Sequence, residues 1–415
     1  ILPLQGAPSY DDKKLNRAHD MEPGGPDPEK IDEVMLKRHR VSRIYWHGKF
    51  FDYPVSLKPQ TLKNMGFIQT MKVGFSYLKS LIHKLPEDNL ENFYINRFGK
   101  ALYGMFFEGY TEKLWGRHPS VISADWGSQR VKGISIMAVL KDAWGKLVGK
   151  EKKAGEGETS LIEEFWYPKF GPGQLWETVE SNCEAAGVKV ITDANVVEIR
   201  QKDGKIASVV YEDSEGNRTE MAADDFISSM PVKDLVNAVD ASDQPAPKDM
   251  TEIANGLPYR DFVTVGLLVK HLRLSNTTDI PTLGNPPIVP DCWIYVQDPG
   301  YKVGRLQIFN NWSPYLVKDV DNTVWIGLEY FCEEGDSFWN MSDEEAKKFA
   351  IQELTRMQII NGPQDVIDSH RERVKKAYPA YFDTYDRMPE LVEYLDSFGN
   401  LYCVGRNGQH RYNNM

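Results

Sequence analysis

The chain has 415 residues, 41% hydrophobic and 26% charged, ordinary globular usage with enough apolar material for a sizeable core and a length that predicts two or three domains. With 60 acidic residues against 49 basic ones the net charge is −11, which disfavours binding to a phosphate backbone. No stretch approaches the roughly 20 apolar residues that cross a bilayer. The four cysteines (Cys183, Cys292, Cys332, Cys403) are scattered, with no CxxC and no histidine at ligand spacing, so they predict neither a metal site nor a disulfide framework but a reducing, cytoplasmic setting.

In chain order, residues 1–30 are polar and rich in turn formers, an irregular excursion. Arg43–Pro54 holds two β-rich runs around His47-Gly48, which predicts a hairpin. Residues 59–150 read as helices. Asp88 and Glu91 have capping-box spacing, and Leu90, Tyr94, Phe98, Leu102 and Phe106 recur behind them as a packing stripe. The segment Lys150–Glu158 is charged and Gly-rich and predicts a surface loop.

The pattern changes after Phe165–Gly173. A helix is expected at about Gln174–Ala186, ended by Gly187, and a strand at Val188–Thr192. A three-stranded meander follows, with a tight turn at Asp203-Gly204, and then a short, buried-looking strand, Asp225–Ser229. Four β-rich runs between Phe262 and Cys332 predict an antiparallel sheet. Ser342 with Glu345 opens a helix reaching about Ile360. A helix near Glu390–Phe398 and a strand Leu401–Val404, running into Gly405-Arg406, close the chain.

A helix–strand–meander–strand unit, distant in sequence from a last strand ending in Gly-Arg, is the layout of two-dinucleotide-fold flavoproteins. Tyr110-Thr111-Glu112-Lys113-Leu114-Trp115-Gly116, Phe170–Trp176, Tyr378-Pro379 and Gly405-Arg406-Asn407-Gly408…Arg411–Met415 resemble FAD-dependent amine oxidase-type oxidoreductases, with protoporphyrinogen oxidase-like proteins and UDP-galactopyranose mutases as the nearest relatives. The resemblance runs from about Arg43 onward. It implies an α/β, FAD/NAD(P)-binding Rossmann-like fold with a helical and antiparallel-sheet substrate domain. The expected segments are 1–57 (irregular segment and hairpin), 58–164 (helical substrate-domain segment), 165–250 (FAD-domain segment), 251–376 (antiparallel-sheet segment) and 377–415 (C-terminal FAD-domain segment). The family's strand–GxGxxG–helix unit, which seats the FAD pyrophosphate on a helix N-terminus, is absent from this sequence. The chain opens at Ile1, and the resemblance implies a preceding unit of roughly 70–80 residues.

The same resemblance implies FAD as cofactor and supplies the candidate site. Val196 would offer its backbone to the adenine, and Ser229-Met230-Pro231 ends a strand approaching the dinucleotide. Gly405 lets the backbone come close to a ligand, and Arg406 supplies a planar fork for phosphate. Met415 belongs to the same closing motif and is expected at the cofactor. Trp115, Arg305 and Tyr412 would touch substrate, with Tyr412 at the spacing from Arg406 seen in the mutases. Each has a plainer reading: a strand valine, a strand-to-helix turn, a surface arginine or a core aromatic. No metal ligands are expected, and no protein nucleophile stands out, which fits a cofactor that carries the chemistry.

Three functions remain in play. The first is an FAD-dependent oxidoreductase that passes a substrate C–H hydride to flavin N5. The second is a mutase-like isomerase of a sugar nucleotide, and the third a non-catalytic binding protein that kept the fold. The mutases carry a second, diphosphate-gripping arginine where the run Arg130-Val131-Lys132-Gly133-Ile134 places Ile134, which ranks the oxidoreductase first. The partner in every enzymatic reading is a small molecule, with a sugar nucleotide in the mutase reading.

Overall fold

The computed structural model describes residues 25–53, 55, 59–130, 164–278 and 280–413. The first 24 residues, the run 131–134, the expected loop at 150–158 and Met415 lie outside the described residues. In chain order the strands are β1 (Met35–His39), β2 (Ser42–Trp46), β3 (Lys49–Asp52), β4 (Glu164–Pro168), β5 (Asn195–Lys202), β6 (Lys205–Glu212), β7 (Arg218–Ala222), β8 (Phe226–Ser228), β9 (Tyr259–Val269), β10 (Trp293–Val296), β11 (Arg305–Ile308), β12 (Val324–Cys332), β13 (Val366–Pro379) and β14 (Leu401–Cys403). The helices are α1 (Pro59–Met65), α2 (Phe67–Ile82), α3 (Leu90–Phe98), α4 (Lys100–Phe106), α5 (Glu108–Trp115), α6 (Asp125–Arg130), α7 (Pro172–Ala185), α8 (Val232–Asp240), α9 (Lys248–Gly256), α10 (Phe309–Trp312), α11 (Asp343–Arg356), α12 (Met388–Asp396) and α13 (Gly405–Gly408). The chain divides into two compact units, the first of residues 1–120, 127–188 and 262–373, the second of 121–126, 189–261 and 374–415. No described helix is long and apolar enough to cross a membrane.

The first unit is built on a seven-stranded sheet in the order β13-β9-β12-β11-β10-β2-β3. Alternation sends Val263, Val265 and Leu267 of β9, Ile326, Leu328 and Tyr330 of β12, and Leu306 and Ile308 of β11 to one face, where they join Ala346, Ala350 and Leu354 of α11 in a single buried cluster. The Ser342–Glu345 capping box forms and starts α11. The expected hairpin forms as β2–β3 around His47-Gly48. The sheet is not wholly antiparallel, because β10 pairs with β2 in parallel. Its edge strand β13 was not expected: its sequence VIDSHRERVKKAYP lacks an apolar face, as edge strands often do, since charge there blocks pairing with other chains.

The helical layer of this unit corrects one expectation. The cap of α3 is Asn89, whose side chain accepts from the Asn92 amide at 2.9 Å, one position along from Asp88. An Asn or Asp side chain caps equally well, so spacing alone does not separate the two registers. The stripe Leu90, Tyr94, Phe98, Leu102 and Phe106 is buried throughout, although Gly99 divides it between α3 and α4. Gly99 has φ +78, and a Cβ there would lie 2.8 Å from the backbone of Tyr77 in α2.

A half-buried lysine ties α5 to the sheet. Lys113 Nζ donates to the carbonyls of Val296 (2.9 Å), Asp298 (3.2 Å) and Val303 (3.1 Å). On the same loop the carboxylate of Glu353, in α11, accepts from the amides of Lys302 (2.6 Å) and Val303 (3.1 Å). Burial pulls the Lys113 ammonium down to about 8 and pushes the Glu353 carboxyl up.

The second unit holds the meander β5-β6-β7 and the parallel pair β14-β8. Asp203 and Gly204 adopt φ +52 and +75, as a two-residue hairpin turn demands. Val232, Leu235 and Val236 of α8, Ile253 of α9, and Leu391 and Leu395 of α12 make its core. Asn400 fastens the meander to the parallel pair: its side chain donates to the carbonyls of Ile206 (2.9 Å) and Asp224 (2.8 Å) and accepts from the Ile206 amide (2.9 Å). Two expectations fail. Residues 188–192 form no strand: Val188 and Val190 are 53% and 38% exposed, and without a neighbouring strand an extended segment has nowhere to place its backbone groups. The strand at 226–228 is not buried either, since Ile227 is 75% exposed.

Lys113→Met should lower stability by about 1–3 kcal/mol at neutral pH, because the three carbonyls lose their donor. Between about pH 8 and 10.5 the native state binds fewer protons at Lys113 than the unfolded chain, so this residue makes stability rise across that window. Denaturant unfolding of wild type and variant across the alkaline range checks both: the wild-type minus variant difference should grow with pH.

Candidate functional site

In the second unit the two parallel strands end at one edge. The register Leu401↔Phe226, Tyr402↔Ile227, Cys403↔Ser228 brings the carboxyl ends of β14 and β8 to the same side. Ligands of α/β sheets bind at such edges. From it Ser229-Met230-Pro231 leads into α8, and Gly405 opens the short turn α13. The Val404 amide donates to the Ser228 carbonyl at 2.8 Å. Gly408 lies so close that a Cβ would sit 2.7 Å from that oxygen. Gly405 has φ +74 and open space, since a Cβ would find only Ser229 Cβ, at 4.0 Å. Ser228 Oγ and Asn407 Oδ1 are buried and have no hydrogen-bond partner among the described residues. Val196 lies in β5 opposite Tyr211, beside a β-bulge between Val196 and Glu198. Bulges bend a strand and leave one residue out of the ladder, as happens beside many binding sites.

Arg406 organises the chain after α13. Its Nε and Nη2 donate to the Asn413 carbonyl (3.1 and 2.8 Å), and its Nη1 donates to the Ala377 carbonyl (2.9 Å). The guanidinium carbon lies 5.5 Å from the Tyr378 ring and 4.8 Å from the Tyr412 ring. Tyr412 stacks on Tyr378, meets the Trp126 indole edge-on at 5.0 Å, and donates its backbone amide to the Tyr381 hydroxyl at 2.7 Å. Beside this group His410 is fully buried, its Nε2 3.0 Å from the Ala380 carbonyl and its ring edge-on to Tyr259. Burial pulls it down to about 4, so it is neutral at pH 7.

Arg305 stands on the other face of the first unit's sheet from the α11 core. Cross-strand register aligns Tyr295, Arg305 and Glu329, and beside them Trp293, Gln307 and Gly327. Arg305 Nε donates to Glu329 Oε2 at 2.6 Å, and Gln307 donates to the other oxygen of that carboxylate. The Glu329 side chain is 6% exposed, so the pair is nearly desolvated. Aromatic rings flank it: Tyr295 packs with Tyr53 (4.5 Å) and Tyr110 (5.7 Å), Trp293 stacks on Trp312 (5.0 Å), and Arg305 lies over Phe331 (5.3 Å). Trp115 ends α5 and is 2% exposed.

Two further features bear on ligands. An open cleft of about 1140 Å³ in the second unit is lined by Tyr381, Tyr385, Asp386, Cys403, Gln409 and Arg411 among others. Asp125, Asp383, Glu393 and Asp396 also face it, a lining unfavourable to an anionic ligand. In the first unit Glu91, Glu108 and His118 bring ligand atoms within 4.8 Å of one another. The imidazole there bonds Glu108 (3.3 Å) and Ser120 (2.8 Å), a surface hydrogen-bonded cluster.

No family model and no curated protein matches the chain. Solved structures do. A reduced UDP-galactopyranose mutase aligns with TM-score 0.68 and 18% identity over 91% of this chain and 75% of its own. A protein assigned as a protoporphyrinogen oxidase, from Exiguobacterium sp. 255-15, gives 0.60 and 14% over 96% and 84%. A putrescine oxidase variant gives 0.51 and 14% over 91% and 79%. The chain shares the fold of these three structures. Identities this low carry the architecture and leave the reaction to the residues.

Sequence reasoning named Arg305 but missed Glu329 and Gln307. Their common signal is a polar residue in an outward slot of an otherwise apolar alternation, yet the register that joins three strands is non-local.

Because His410 is depressed from 6.5 to about 4, the unfolded chain binds more protons between those values, and stability falls as pH drops through that window. The full effect is about 3 kcal/mol. His410→Gln should flatten the wild-type loss of stability between pH 6.5 and 4, read by urea unfolding at several acidic pH values.

Proposed function

We propose that this protein is an FAD-dependent oxidoreductase whose cofactor lies along the carboxyl edge of β8 and β14. The observation that carries the proposal is that edge: a glycine turn with room beside it, next to two buried oxygens, Ser228 Oγ and Asn407 Oδ1, without protein partners among the described residues. Such a donor-and-acceptor edge suits a polar dinucleotide. Val196, Ser229, Met230, Pro231, Gly405 and Arg406 would hold the cofactor. Trp115, Arg305 and Tyr412 would contribute to the substrate side. When bound, FAD supplies two-electron redox chemistry at N5 that no side chain offers. The protein's own part is positional. Gly405 admits close approach, and Arg406 fixes the turn through Ala377 and Asn413 while stacking with Tyr378 and Tyr412.

The electrostatics of Arg305 support net oxidation over sugar-nucleotide isomerisation. Its charge is already answered by Glu329, so an incoming diphosphate would meet a carboxylate beside the arginine. A neutral or cationic substrate meets no such cost. A second reading, a mutase-like isomerase, is favoured by the higher fold likeness to the mutase structure. The scattered free cysteines support a reducing, cytoplasmic setting.

The test is titration of the full chain with FAD, followed by flavin fluorescence. Binding is expected to be weak, because the sequence lacks the GxGxxG cradle. Gly405→Val should weaken it at least tenfold by filling the turn. Absence of wild-type binding, or equal binding by Gly405→Val, would overturn the cofactor assignment. UDP-galactose turnover by the dithionite-reduced flavin-loaded chain would favour the second reading. Loss of flavin absorbance on anaerobic addition of an amine or another oxidisable substrate would favour the first.

A further inference from the structure

We propose that α2 seats this protein on the surface of an anionic lipid bilayer, lying in the plane of the interface with its outward side among the acyl chains. The helix packs on its own unit through Val73, Tyr77 and Ser80. At about 100° per residue the opposite side carries Phe67, Ile68, Met71, Phe75, Leu78 and Ile82. These are not grazing exposures: Phe67 is 80% exposed, Ile68 73%, Phe75 66%, Leu78 56% and Ile82 77%. Single exposed apolar residues are normal on any protein, but six in one stripe form a patch that marks an interaction surface. Leu81 and Leu85 extend it, at 42% and 39%.

Charge decides what covers the stripe. From Tyr53 to Pro86 the chain contains Lys58, Lys63, Lys72, Lys79 and Lys84 and not one Asp or Glu, within a protein of net charge −11. Lys72 and Lys79 are exposed and lie along one flank of the apolar stripe, two helical turns apart. A second copy docked through this face would bring matching lysines together with no carboxylate in the segment to answer them. Acidic headgroups answer them, and the lysine stems reach up past the acyl boundary to do so. The 16-residue helix is too short to span, at about 24 Å, and its inward side, Val73, Tyr77 and Ser80, stays packed on the protein. An apolar face of Phe, Ile and Leu beside a lysine flank is the composition of an interfacial helix.

The experiment is cosedimentation of the full chain with vesicles of phosphatidylcholine and phosphatidylserine (3:1), with pure phosphatidylcholine vesicles in parallel. Light scattering without lipid gives the oligomeric state. Binding to the anionic vesicles is expected, at least tenfold weaker with pure phosphatidylcholine. Lys72→Gln with Lys79→Gln should weaken anionic binding about thirtyfold, and Phe75→Ser with Ile82→Ser should weaken binding to both. All four side chains point to solvent, and a circular dichroism melt verifies folding. No binding to anionic vesicles, or binding unchanged by Phe75→Ser with Ile82→Ser, overturns the proposal. So does a stable dimer that binds no vesicles and that Phe75→Ser with Ile82→Ser dissociates.

Discussion

The loop from Gln297 to Gly304 joins two central strands of the large sheet, and much of its polar backbone is satisfied by two charges of opposite sign, one buried and one half-buried. Lys113 serves two of its carbonyls and that of Val296 at the end of β10, and Glu353 serves two of its amides. Each charge comes from a different helix, so α5 and α11 are fastened to one stretch of main chain. Burial disfavours each charge in that position, and the opposite sign of its neighbour offsets part of the desolvation cost of each. The β10–β11 hairpin that carries Trp293, Tyr295, Arg305 and Gln307 is held by this clamp.

The sheet therefore has one face of aliphatic packing and one that carries a polar network. Alternation fills the first with aliphatic side chains against α11. On the second it sets the Arg305–Glu329–Gln307 network among aromatic rings. The second unit divides its labour differently. Its hydrophobic helices pack together, while the parallel pair β8-β14 leaves Ile227 and Tyr402 exposed at 75% and 50% and turns its carboxyl ends toward the open glycine turn.

Features set by neighbours in sequence were legible. The Ser342–Glu345 box, the His47-Gly48 and Asp203-Gly204 turns and the glycine after α7 depend on a few adjacent residues, and all are present. Features that depend on distant partners were not. Val188–Thr192 has strand composition, but composition does not supply a neighbour, and the segment stays irregular. The polar sequence of β13 hides a strand that pairs along only one side. Lys113 stands in a motif that was recognised, yet its task follows from a loop some 180 residues away. At the candidate site, Gly405 and Arg406 could be singled out from their order after a strand, whereas the carbonyls that occupy Arg406 could not.

Three glycines of the large sheet and its β10–β11 loop each make room for an aromatic ring: Gly304 for Phe331, Gly327 for Phe309 and Gly266 for Trp325. A methyl group at any of them would collide with the ring it faces. Each glycine and its ring thus behave as one unit of inheritance. Neither can drift alone without a clash or a void, and exchange at one position becomes tolerable only after the other has changed. Across descendants of such a chain these pairs would substitute together or not at all, so the sheet would keep its shape even where the residues around it had diverged.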